Sequence, residues 1–141
     1  MTSPHQDLFD LLIRHEGLRL RPYTDGVGKL SIGVGRNLTD RGISLTEAMD
    51  LLGHDVEDVL ADLCHYGWFT TIGAVRLRAL CDLRFNVGRG AFRRFVQLLA
   101  AVEAGDFERA AAELLDSDWA HQVQPSRVTD LHTMLLTGIQ P

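Results

Sequence analysis

The spacing of apolar residues changes twice along this chain. Leu8, Leu11, Leu12 and His15 recur at helical intervals, Ser3-Pro4 reads as an N-cap followed by a proline in the first turn, and Gly17 is a natural stop. A first helix is predicted over about 4–15. From Arg21 to Arg36 the helical period gives way to alternation: Leu30, Ile32 and Val34 are separated by small or polar residues, and Asp25-Gly26 supplies a turn. A small hairpin or meander is expected there. At Ser44-Leu45-Thr46-Glu47 the helical period returns with the spacing of a capping box. Behind it Leu45, Met49, Leu52, Val56, Val59 and Leu63 form one apolar stripe, which predicts a single helix of about 20 residues.

The remainder reads as helical. Thr71 is the expected cap of a helix carrying Ile72, Val75, Ala79, Leu80, Leu83 and Val87 and stopping at Gly88. Phe92, Phe95, Val96, Leu99 and Val102 predict a further helix ended by Gly105. Asp106 is the expected cap of the next, which runs to about Leu115. An irregular stretch follows Trp119 as far as Pro125; Ser126 then caps a final helix with Val128, Leu131 and Leu135, closed by Gly138. The fold class expected is α+β, helix-dominated.

Composition narrows the function classes. The chain has 141 residues, 45% hydrophobic and 23% charged, which is globular and about one domain in size. No apolar run approaches the length of a membrane span, so no stable membrane insertion is expected. The first residues have neither a basic nor an apolar region of a cleavable signal. The net charge is −5, which argues against a nucleic-acid partner. All of this excess lies in residues 1–66, with six basic and eleven acidic side chains; residues 67–141 carry eight of each. There Arg84, Arg89, Arg93 and Arg94 crowd together, either as a solvated face or as a contact for anionic peptides. Cys64 and Cys81 are expected to be reduced, buried thiols. The six histidines show no metal-ligand spacing, so no metal or cofactor is expected.

Glu16 stands at the expected C-terminal end of the first helix, where the helix dipole and any burial favour a protonated carboxyl suited to general-acid work. An exposed acid paired with Arg14 or Arg19 is the other reading. Asp25 at a turn and Ser31 on the next strand are unremarkable by themselves. Taken together, these residues and the glycines around them follow Glu-x8-Asp-x5-Ser/Thr-Ile-Gly-x-Gly, with Gly17, Leu18, Tyr23 and Gly28 between. This resembles the phage-type lysozymes of glycoside hydrolase family 24, the T-even phage group. The resemblance extends more sparsely through Phe85-Asn86-Val87-Gly88, Phe92, Ala110-Ala111, Trp119 and Pro125-Ser126-Arg127.

That resemblance implies a two-lobed, lysozyme-like fold: about 17–43 as a small β-containing lobe, about 44–66 as the joining helix and about 67–141 as a helical lobe. It implies a peptidoglycan hydrolase that cuts between N-acetylmuramic acid and N-acetylglucosamine with inversion, its two carboxyls about 6.5–9.5 Å apart. Glu16 would be the acid, Asp25 the carboxylate that assists water or stabilises the oxocarbenium charge, and Ser31 the hydroxyl that holds the water. Gly33, Gly35, Asn37, Phe85, Asn86 and Trp119 would line the substrate site, with Trp119 otherwise read as a core aromatic. A monomer is expected, made in the host cytoplasm and reaching the wall through a separate, holin-type membrane lesion. Four positions depart from the family pattern. Ser31 replaces threonine, Arg36 replaces a histidine and so removes a His–Asp pair, Asn37 replaces leucine, and Phe95 falls near a polar position. A lytic transglycosylase and a weakly active wall-binding domain remain the alternatives.

Overall fold

A computed structural model describes residues 4–141, so the expected cap at Ser3 lies outside the described residues. The chain divides into two compact units, Met1–Leu51 and Leu52–Pro141.

In the first unit, α1 (Pro4–Glu16) ends where Gly17 closes the helix through its N–H to the Ile13 carbonyl at 2.8 Å. Then come β1 (Arg19–Thr24), β2 (Leu30–Gly33) and β3 (Arg36–Asn37), an antiparallel sheet in the order β1-β2-β3. Of the expected hairpin or meander, the chain forms the three-stranded meander; β3 is only two residues long, too short for alternation to reveal. Ser31 lies on the central strand, opposite Tyr23 on one side and Asn37 on the other. The loop after β3 is tied down by Leu38 N–H to Leu30 O (2.7 Å), Leu30 N–H to Thr39 Oγ1 (2.9 Å) and a Lys29–Asp40 ion pair (3.0 Å).

The capping box forms as expected. Ser44 Oγ accepts from Glu47 N–H at 3.1 Å, and Glu47 Oε1 accepts from Ser44 N–H at 3.0 Å. It opens α2 (Leu45–Leu63), which runs through the boundary between the units. Its apolar stripe is buried only at the C-terminal end: Val59 and Leu63 enter a core, whereas Leu45, Met49, Leu52 and Val56 are exposed.

The second unit holds that core. Leu80, Leu83, Phe92, Leu98, Leu114 and Leu135 are fully buried, joined by Trp68 and Trp119. Its helices are α3 (Ala74–Val87), α4 (Arg89–Arg93), α5 (Val96–Glu103), α6 (Phe107–Asp116), α7 (Asp118–Gln122) and α8 (Pro125–Thr137). Helix α8 packs on α3 and α6, and α5 packs on α6.

Five expectations change here. Helix α3 begins after Gly73, not Thr71, because Ile72 is drawn into the core and the Thr71 hydroxyl donates back to Trp68 O. The helix expected across 92–102 is two helices, with a break at Arg94-Phe95. Phe92 and Leu98 are six residues apart, so a continuous helix would point them about 120° apart; the break lets both enter one core. The stretch near Trp119 is the short helix α7, capped by Ser117 Oγ accepting from Ala120 N–H at 3.3 Å. Helix α8 starts at Pro125 with no side-chain cap, so Ser126 lies inside its first turn. Asp106 caps α6 as expected. Cys81 is half-buried and burial pushes its thiol up, but Cys64 lies just past the end of α2 and is exposed.

Candidate active site

In the first unit the candidate residues sit on successive elements. Glu16 is the last residue of α1 and its side chain is exposed, so it has the helix-end position but no burial. Gly35 lies beside it: a Cβ at Gly35 would stand 3.4 Å from Glu16 Oε2. Gly35 has φ +72°, in the left-handed region that side chains disfavour, and Gly33 has φ +68°. The Gly33-Val34-Gly35 turn thus brings bare backbone near the Glu16 carboxylate; a side chain at Gly35 would touch that carboxylate and be strained by the positive φ.

Asp25 is held by its own turn. Its Oδ1 accepts from Val27 N–H at 3.0 Å and from Lys29 N–H at 2.9 Å, while its backbone N–H donates to Lys29 O at 2.8 Å. Among the described residues Oδ2 accepts no hydrogen bond, so one oxygen fixes the carboxylate and the other is left for a ligand or water. Ser31 is only 4% exposed. Its cross-strand neighbour Asn37 spends both ends of its amide on Asp40: Nδ2 donates to Oδ2 at 3.1 Å and Oδ1 accepts from Asp40 N–H at 2.9 Å. Asn37 thus shapes the turn after β3, with one amide N–H and one carbonyl lone pair still unused.

Arg36 does what sequence reasoning missed. Its Nη1 donates to Glu47 Oε1 at 2.9 Å and to Gly42 O at 3.3 Å, and lies 2.8 Å from Glu47 Oε2. A residue that looked like the loss of one ion pair supplies another, binding β3 and the following loop to the first turn of α2. The capping box did mark Glu47, but its second partner, eleven residues upstream, carries no local signal. The Arg36 hydrogen bond, assisted by the Ser44 N–H and hydroxyl, pulls the Glu47 carboxyl down to about 2. The same hydrogen bond raises Arg36 further above its ordinary value. A carboxylate whose folded pKa is depressed stabilises the fold above its unfolded pKa and loses that contribution as pH falls through the folded value. Wild type should therefore melt above Glu47→Gln at neutral pH, and the gap should close between about pH 5 and pH 2. Melting temperatures of the two proteins across that range provide the check; a gap independent of pH would contradict the ion pair.

In the second unit, Phe85 and Asn86 are exposed near the C-terminal end of α3. Trp119 is buried, and its Nε1–H donates to Asn86 Oδ1 at 2.7 Å. The indole orients the amide. Arg127 of the Pro-Ser-Arg segment pairs with Asp82 at 2.7 Å, which ties the start of α8 to α3. Asp62, one of six acids along the long helix, is buried and gathers Arg84, Arg89 and Arg93 around it.

Residues 13–132 match the phage lysozyme family. The chain belongs to that family. Among curated relatives, an endolysin of Acyrthosiphon pisum secondary endosymbiont phage 1 is 32% identical over 74% of this chain and 73% of its own length. The endolysin of Salmonella phage P22 is 35% identical over 57% of this chain and 60% of its own. The pre-baseplate central spike protein Gp5 of Enterobacteria phage T4 is 28% identical over 96% of this chain, which spans only 28% of that protein. For a phage lysozyme the helix-dominated α+β architecture is as expected, and the segment from Glu16 to Gly35 falls wholly inside the matched region.

Proposed function

We propose that this phage lysozyme is a muramidase that hydrolyses the β-1,4 bond between N-acetylmuramic acid and N-acetylglucosamine in peptidoglycan. The observation that carries the reading is Glu16 at the end of α1, its carboxylate against the Gly35 backbone, with Asp25 locked nearby in sequence by two backbone N–H groups. Protonated Glu16 donates its proton to the glycosidic oxygen as the C1–O4 bond breaks. Asp25, through its unengaged oxygen, orients a water whose oxygen bonds to C1 and whose proton it accepts. Ser31 helps hold that water, and Gly33 keeps the hairpin backbone open to the sugar. Phe85 and Asn86 offer an aromatic face and an amide to the glycan, with Trp119 acting through Asn86.

Two endolysins among the relatives support action on the bacterial wall during phage lysis. In this reading the protein works as a monomer without a cofactor and reaches the wall through a holin-type lesion. Digests of purified peptidoglycan should yield new reducing ends, and proton NMR should show the inverted anomer first. 1,6-Anhydro ends would instead identify a lytic transglycosylase. Retention of configuration would exclude the direct attack of water described above.

A further inference from the structure

The carboxylate of Asp62 is 7% exposed and faces three guanidiniums. Arg84 Nε takes Oδ2 at 2.6 Å and is itself only 13% exposed, so that pair is closed. Oδ1 is left with Arg89 Nε at 3.3 Å and Arg93 Nη2 at 4.0 Å, from side chains 63% and 57% exposed. Arg89 and Arg93 stand four apart on α4, where like charges repel. One carboxylate neutralises one of the three arginines and leaves an excess of two positive charges. Around it the second unit is acidic, with eight basic side chains against twelve acidic ones. Among the described residues neither Arg89 nor Arg93 uses its side chain in a hydrogen bond, so beyond their ion pairs with Asp62 their N–H groups are unengaged.

The geometry points to a carboxylate-binding seat formed by Arg89 and Arg93, with buried Asp62 and Arg84 as its base. This rests on the peptidoglycan reading: the neutral N-acetyl sugars of that polymer offer no anion, whereas its peptide stems end in carboxylates. Paired guanidiniums suit a carboxylate because their N–H groups match its two oxygens. A second contact of this kind on a polymer that repeats its stems raises residence on the wall through multivalency, without touching the bond that is cut.

The test is cosedimentation with purified sacculi at low and high salt. It compares Glu16→Gln with the same protein also carrying Arg89→Gln and Arg93→Gln. Sacculi are used as isolated, or with stem carboxylates amidated by carbodiimide and glycinamide. The additional substitutions should weaken binding about tenfold at low salt, and both amidation and high salt should abolish the difference. Arg93→Gln alone, which removes no hydrogen bond, should give part of the effect if the double substitution disturbs folding. Equal binding to untreated sacculi would overturn the seat. A difference that survives amidation would also overturn it, assigning the arginines to phosphates of another wall polymer. Reducing ends released by otherwise wild-type Arg89→Gln/Arg93→Gln from amidated sacculi separate the two readings. Their absence, with wild type silent as well, indicts the muramidase assignment and not the seat.

Discussion

Glu16→Gln should leave a peptidoglycan suspension turbid under conditions in which wild type clears it, with the rate of release of reducing ends reduced by about 10²–10⁴-fold. Glutamine keeps the shape of the side chain and its place beside Gly35, but has no proton to give to a departing sugar oxygen. The substitution is a clean probe because the side chain is exposed at the end of α1, where surface changes cost about 0.5 kcal/mol or less. An unchanged melting temperature together with lost activity therefore reads as lost chemistry. Equal clearing by both proteins would remove Glu16 from the role of acid, whatever its match to the family pattern.

Asp62→Ala should be the most damaging of the polar substitutions to the fold. It strips the partner from Arg84, whose Nε lies 2.6 Å from the carboxylate in a mostly buried setting, and leaves three guanidiniums near one another. Removing one member of a buried ion pair costs about 3–5 kcal/mol, because the other charge remains desolvated. The urea midpoint should fall accordingly, with partial recovery in high salt as repulsion among the arginines is screened. Replacing both Asp62 and Arg84 with leucine and methionine should cost less than Asp62→Ala alone, since no buried charge is then stranded. A loss below about 1 kcal/mol for Asp62→Ala would mean that water reaches Arg84 and that the pair is a surface one.

Much of the fold was legible because the signals were local. The capping box at Ser44 and Glu47, the Asp25-Gly26 turn, the Asp106 cap and the Gly138 stop each depend on residues within about four positions, and each was found where expected. Misreadings arose where the core took precedence over a local pattern. Thr71 has the chemistry of a cap, yet burying Ile72 delays α3 to Ala74. Phe92 to Val102 has acceptable helical spacing, yet two faces 120° apart are brought to one core only by a break at Phe95. Ser117, by contrast, caps α7 through a local signal, its hydroxyl accepting from Ala120 N–H three residues on.

The candidate site divides in the same way. Its residue types and intervals from Glu16 to Gly35 are properties of the sequence, because the proposed acid, the turn carboxylate and the hairpin glycines lie within twenty consecutive positions. Their environments are not. That Gly35 abuts the Glu16 carboxylate, that Asn37 spends its amide on Asp40, and that Trp119 is buried and serves Asn86 follow only once the chain is folded. Arg36 with Glu47 and Asp62 with Arg84, Arg89 and Arg93 belong wholly to the folded state, since the partners come from different elements eleven to thirty-one residues apart. Sequence alone determined most of the elements and the chemistry available to this phage lysozyme, because most turns, caps and helical stripes are decided by near neighbours. Tertiary structure decided which charges are buried and paired, because burial depends on what distant segments cover.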